Sequence, residues 1–208
     1  GVPIAIGTDI WPHGRWRMTF TGEPNHAGTT RLADRRDPVV VAAECTLAIR
    51  SAAAEAGMVA TVGRLVVEPN SPNAIAGRVT ATVDARAADD PTLDDFVTVV
   101  GEQVDRVAAE HRVDAELVVD SRTAGVAFDE RMSDRIEACL TGTGIATTRL
   151  PTAAGHDAGI LAAHVPSAML FVRNPTGASH TPSESATVND CVAGVAALTT
   201  VLEDLAWA

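Results

Sequence analysis

Large apolar and polar side chains alternate from Trp16 to Thr21, with Trp16, Met18 and Phe20 set against Arg17, Thr19 and Thr21. A period of two places the large side chains on one face and predicts a half-buried strand. After a loop over residues 22–37, Pro38 opens an Ala-rich segment that runs to Ala56 and meets Gly57. Proline in the first turn and glycine just past the last are the start and stop signals of a helix. Val59–Val67 and Arg78–Arg86 are β-rich runs, and the Pro/Asn/Ser-rich stretch 68–73 between them reads as a turn. Asp90-Pro91-Thr92 opens a second helix, whose Leu93, Phe96, Val97, Val100, Val104 and Val107 recur at helical spacing. Alternation returns from Val113 to Val119 as a last strand. The order strand, helix, strand, strand, helix, strand predicts an α+β, ferredoxin-like βαββαβ layer. Two helices would cover one face of a four-stranded antiparallel sheet, leaving an edge strand to be covered or paired.

The pattern on either side of this layer differs. The opening Gly1–Gly7 reads as a strand already in progress, so the chain is expected to start in the middle of a larger structure. Residues 121–127 read as a connector, and Phe128–Leu140 as a helix with Met132, Ile136 and Leu140 on one face. Residues 148–155 read as a loop, 158–163 as a short helix and Ala168–Val172 as a buried strand. Asn189-Asp190 then signals the N-cap of a final helix to about Leu205. This αβα piece has too few strands to build a doubly covered sheet alone. The expected organisation is 1–13 as the end of a preceding segment, 14–122 as the βαββαβ domain, and 123–208 as the C-terminal part of an α/β domain.

Composition narrows the partners. The net charge of −11 over 208 residues argues against nucleic-acid or anionic-membrane binding, both of which need clustered Lys and Arg. Cys45, Cys139 and Cys191 are odd in number and lack CxxC spacing, which suits reduced thiols in a cytosolic protein. No apolar run reaches transmembrane length.

Chemistry-bearing residues gather in short motifs: Asn25-His-Ala-Gly-Thr-Thr30 with Arg35-Arg-Asp37, Asn73-Ala-Ile75, Val83-Asp-Ala-Arg86, Gly155-His-Asp-Ala158, and Pro175-Thr-Gly-Ala-Ser-His-Thr-Pro-Ser-Glu184. In this order and at these separations they resemble the hydantoinase/carbamoylase family of dinuclear-metal amidohydrolases, second half only. That family includes N-carbamoyl-L-amino-acid hydrolases and allantoate amidohydrolases. The resemblance implies a lid (dimerisation) domain over 14–122, pairing with a second copy, and the C-terminal part of a metallohydrolase catalytic domain over 123–208.

The same resemblance implies the roles. His180 matches the last metal ligand, and imidazole suits zinc or manganese, and also cobalt or nickel. Ser179 and Glu184 would orient its ring. His26 resembles a histidine that reaches into the other subunit's site, where a protonated or donor imidazole stabilises an oxyanion; a His capping the following helix is the alternative. Asn73 and Arg86 match a substrate pair, Arg86 gripping a carboxylate in bidentate fashion. An Arg86 paired to Asp84 or Asp89 is the plainer reading. His156 lies at the substrate pocket, and Arg35-Arg36-Asp37 fixes the loop over residues 22–37 that carries His26. Arg31-Leu32 departs from the family's Pro-Met, which bears on the pocket rim or the lid packing.

Two divalent metals need about five protein ligands and a general base, and the chain has no His-x-Asp and no Glu-Glu pair. The expectation is therefore a cytoplasmic, homodimeric, metal-dependent hydrolase of N-carbamoyl amino acids or allantoate-like ureido compounds, with at most one metal ligand in this chain. The alternatives are a catalytically incomplete dimerisation or substrate-binding module, and an aminoacylase or peptidase of the same clan.

Overall fold

The structure, a computed structural model, describes residues 1–206. Its strands are β1 (Ile4–Ile10), β2 (His13–Thr21), β3 (Asn25–His26), β4 (Val59–Glu68), β5 (Ala74–Ile75), β6 (Arg78–Arg86), β7 (Asp114–Thr123), β8 (Val126–Ala127), β9 (Thr147–Thr152) and β10 (Leu170–Val172). Its helices are α1 (Pro38–Glu55), α2 (Asp90–His111), α3 (Glu130–Gly142), α4 (Asp157–Ala162) and α5 (Val188–Ala206). The chain divides into two units, one of residues 1–11 and 126–208, the other of residues 12–125.

The unit of residues 12–125 is the ferredoxin-like layer. Its sheet has the order β4-β6-β2-β7, antiparallel throughout. The alternation in β2 holds for its large side chains, with Trp16, Met18 and Phe20 buried and Arg17 and Thr21 exposed, but Thr19, expected on the polar face, is buried as well. Val79, Ala81, Val83 and Ala85 of β6 join them, and α1 (Val41, Cys45, Ile49) and α2 (Leu93, Phe96, Val100, Val104, Val107) contribute the helical side of one core. Burial of each large side chain in such a core contributes about 1.5–3 kcal/mol. Asp37 caps α1 by accepting the Val39 N–H at 3.0 Å, and Asp89 caps α2 by accepting the Thr92 N–H at 2.8 Å. Gly57 ends α1 with φ +65°, a left-handed conformation that costs glycine nothing. Burial pushes the Cys45 thiol up to about 11, with Glu44 adding to the shift and Arg106 opposing it, so this cysteine is an inert packing residue.

The second unit is built on β1, which pairs antiparallel with β10 and β8 and parallel with β9. Ile4 and Ile6 of β1 pack with Ile136 and Leu140 of α3 and with Ala197 and Val201 of α5. Two sequence expectations fail here. The αβα order is present as α3, β10 and α5, but β8 stands at the end of the expected connector 121–127 and β9 overlaps the expected loop 148–155. Pro151 masked β9: it cannot donate to a ladder, and the β1–β9 register shifts beside it, between Gly7 and Ile10. The second correction concerns the start of α5. Its cap is Thr187, whose Oγ1 accepts the Asp190 N–H at 3.1 Å and donates to Asp190 Oδ2 at 2.7 Å. Asp190 is in the first turn, buried, and also paired with Arg173 at 2.9 Å.

One face of α5 is apolar and uncovered among the described residues: Val188, Val192, Val195, Leu198 and Leu202 are 52–78% exposed. Recurring every three or four residues, they form one apolar stripe along the helix. No helix among the described residues is long and apolar enough to cross a membrane.

Candidate active site

The motif around His26 forms a fully wired loop. β3 and β5 make a two-residue antiparallel ribbon that sets His26 opposite Ala74, and the Ala27 N–H donates to the Asn73 carbonyl at 3.0 Å. The candidates His26 and Asn73 are therefore brought together. Asn25 Oδ1 accepts the His26 N–H at 2.8 Å, and the Thr30 hydroxyl donates to the His26 carbonyl at 2.8 Å. The Gly28 N–H donates to His26 Nδ1 at 3.0 Å. Arg35 closes the loop from below, donating to the Ala27 carbonyl at 2.7 Å and to the Thr30 carbonyl at 3.1 and 3.2 Å. Arg35 and Asp37 thus have the structural role read from the sequence. The helix-capping alternative for His26 fails, since Asp37 caps α1.

Sequence reasoning missed Arg112, which follows α2 in a left-handed conformation (φ 57°) and sends Nη2 to the Ala33 carbonyl at 2.6 Å. No local sequence signal announces an arginine in that conformation. Leu32 is 82% exposed and Arg31 pairs with Asp34, so the Arg31-Leu32 departure lies on the surface and leaves the core of this unit untouched.

Arg86 sits elsewhere. It ends β6, in register with His13 of β2 and Val59 of β4. Its Nε lies 2.9 Å from Asp84 Oδ1, while Arg15 Nε approaches Asp84 Oδ2 at 3.2 Å. Burial works against the Asp84 charge, but the hydrogen bonds and charges of Arg86 and then Arg15 outweigh it and hold the carboxyl below the usual carboxylate range. The plainer reading of Arg86, a charge paired to Asp84, is thus present in the structure; the carboxylate also fixes the direction of the guanidinium fork. The expected substrate pair is not brought together. Asn73 lies in the excursion between Glu68 and Arg78, beyond the start of β6, and Arg86 ends that strand. Eight strand steps separate Arg78 from Arg86, about 26 Å at 3.3 Å per residue.

In the other unit, His156 is the N-cap of α4, its Nδ1 accepting the Ala158 N–H at 3.0 Å. His180 is exposed and adopts a left-handed conformation, φ 58°, uncommon outside glycine though visited more often by Asn, Asp and His than by other residues. Glu184 stabilises that turn, with Oε2 accepting the His180 backbone N–H at 2.8 Å. Glu184 thus holds the main chain of His180 instead of orienting its ring. Among the described residues, no group of three or more His, Cys, Asp or Glu side chains comes together to hold a metal ion. His180 has the right donor chemistry, but these residues by themselves do not fit a two-metal centre.

Residues 22–204 match the model of Peptidase family M20/M25/M40, and the chain belongs to that family. Within it, the chain is similar to the allantoate amidohydrolase of Bacillus subtilis (strain 168), 31% identical over 209 residues, covering 100% of this chain and 51% of that protein. It is 32% identical over 199 residues to the N-carbamoyl-L-amino acid amidohydrolase of Geobacillus stearothermophilus, covering 95% of this chain and 49% of the relative. Among solved structures, a hydantoinase/carbamoylase family amidase from Burkholderia vietnamiensis superposes with TM-score 0.89 at 34% identity, over 95% of this chain and 49% of that one. The resemblance read from the motifs is borne out. The chain spans about half the length of the curated relatives it matches.

Proposed function

We propose that this chain supplies the lid and C-terminal catalytic segment of a metal-dependent amidohydrolase cleaving the C–N bond of N-carbamoyl amino acids or allantoate-like ureido compounds. The observation that carries the proposal is the built His26–Asn73 ribbon in a chain similar to amidohydrolases of those two substrate classes. His26 is assigned the stabilisation of the developing oxyanion, and Asn73 a directional amide contact beside it. Arg86, steadied by Asp84, grips the substrate carboxylate, and His156 lines the pocket in the other unit. His180 is assigned the one metal ligand of this chain, with the remaining ligands and the base supplied by the other half of a complete family member.

The separation of His26 and Asn73 from Arg86 adds a requirement. A ureido acid is far shorter than the roughly 26 Å of strand between the two ends of the layer. One chain cannot close both ends on one molecule. A homodimer through the lid, in which one copy lends His26 and Asn73 to a site holding the other copy's Arg86, meets that requirement.

The second reading, a catalytically incomplete dimerisation or substrate-binding module, is favoured by the lack of a three-ligand metal group among the described residues. One experiment separates them. The 208-residue chain is assayed on N-carbamoyl amino acids and on allantoate, alone and mixed with the remaining half of the Bacillus subtilis relative in the presence of manganese or zinc. The proposal expects turnover from the mixture and its loss in His26→Ala. Turnover by the chain alone, or a mixture indifferent to His26→Ala, contradicts it.

A further inference from the structure

We infer that the neutral imidazole of His26 carries its proton on Nε2 and donates through it, and that Gly28 is the residue that sets this tautomer. A neutral imidazole has one N–H and one lone pair. The Gly28 N–H, 3.0 Å from Nδ1, takes the lone pair there and leaves the proton on Nε2. Glycine also leaves the ring its place: a Cβ at this position would lie 3.2 Å from His26 Cε1, a tight contact that the ring would relieve by shifting away from the Gly28 N–H. The rest of the Asn25–Thr30 motif fixes the main chain under that ring, through Asn25 Oδ1, both Thr30 donors and the Arg35 guanidinium. His156 repeats the device, its Nδ1 accepting the N–H two residues on, from Ala158, at 3.0 Å.

The tautomer decides what these rings can do. A general base acting through Nε2, or a metal ligand bound there, needs the proton on Nδ1, where it would point at the backbone N–H. His26 and His156 are thereby excluded from both roles. Each offers Nε2–H to an acceptor oxygen, of the kind a ureido carbonyl or a carboxylate presents. That this acceptor belongs to an amidohydrolase substrate rests on the proposed function; the tautomer does not.

The test uses the 208-residue chain with 15N-labelled histidine, and long-range 1H–15N correlation at about pH 8, above the ordinary histidine range. Nδ1 of His26 and His156 is expected in the pyridine-like range and Nε2 in the pyrrole-like range. A pyrrole-like Nδ1 at His26 overturns the inference. Two variants, each the other's control, test the cause. Ala158→Pro deletes the donor at the second position of α4, where α2 already carries its own Pro91 after Asp90. Its His156 signals are expected to move toward a tautomer average while those of His26 stay. Gly28→Ala is expected to do the reverse. Signals unmoved in both variants would overturn the claim that these backbone contacts set the tautomer. Expected spectra together with failure of the hydrolysis assay would remove the functional reading and leave the tautomer standing.

Discussion

Arg35 offers the sharpest separation of local from global stability. It is half-buried beneath the His26 loop and donates three hydrogen bonds to two carbonyl oxygens, of Ala27 and Thr30. Arg35→Met keeps most of the aliphatic stem and removes every donor. A hydrogen bond to a charged group contributes about 1.5–3 kcal/mol. The three bonds share one guanidinium and two acceptors, and water can reach the freed carbonyls, so the loss is taken as about 2 kcal/mol rather than a sum. At 1.36 kcal/mol per tenfold change, that is about a 30-fold rise in the open population of the loop. The assay is native-state hydrogen exchange at the Ala27 and Thr30 amides, which donate to Asn73 and to His26 within the loop. Both should exchange about 30-fold faster, while amides of β2 and β6 keep their protection, because no core residue is touched. Unchanged exchange at Ala27 and Thr30 would refute the account of Arg35 as the tie that holds the His26 loop.

Phe20, fully buried in the core of the βαββαβ unit, gives the contrasting case: Phe20→Ala should cost about 3–5 kcal/mol, read as a fall in the denaturant midpoint of that unit. Asp190 carries a pH dependence. The Thr187 hydroxyl lowers its pKa, burial opposes this, and Arg173 adds to the lowering. A carboxylate depressed on folding contributes stability above its unfolded value, about 3.9, which is lost as pH falls through the folded value. The melting temperature of Asp190→Asn should therefore lie below that of the parent at pH 7, with the gap shrinking below about pH 4; a gap constant with pH would contradict this. Val195→Glu, on the 68% exposed centre of the α5 stripe, should reduce binding of an apolar dye and self-association with little change in melting temperature. A large loss of stability would show that the stripe is packed within the chain.

The βαββαβ layer was legible because its residues obey simple periods. Trp16, Met18 and Phe20 alternate, Pro38 and Asp90-Pro91 mark helix starts, and the structure places α1, β6 and α2 where those signals fall. The second unit was less legible because β1 has its partners far along the chain, at β8, β9 and β10, and because Pro151 hides an edge strand. The motifs named the candidate residues but not their mounts. A two-residue ribbon such as β3–β5 has no periodicity to read, and histidine is not among the usual capping residues, so the role of His156 on α4 left no signal. The family resemblance implies that Asn73 and Arg86 act as a substrate pair. Only the length of β6 shows that they stand at opposite ends of one layer.

The central proposal is that this chain supplies part of a dinuclear-metal amidohydrolase, bringing His180 and, among the described residues, no complete metal centre. Metal content of the purified 208-residue chain, after incubation with manganese or zinc and dialysis, tests it most directly, with hydrolysis of an N-carbamoyl amino acid followed on the same sample. The account predicts well under one retained ion per chain and no turnover. About two ions per chain together with turnover would contradict it.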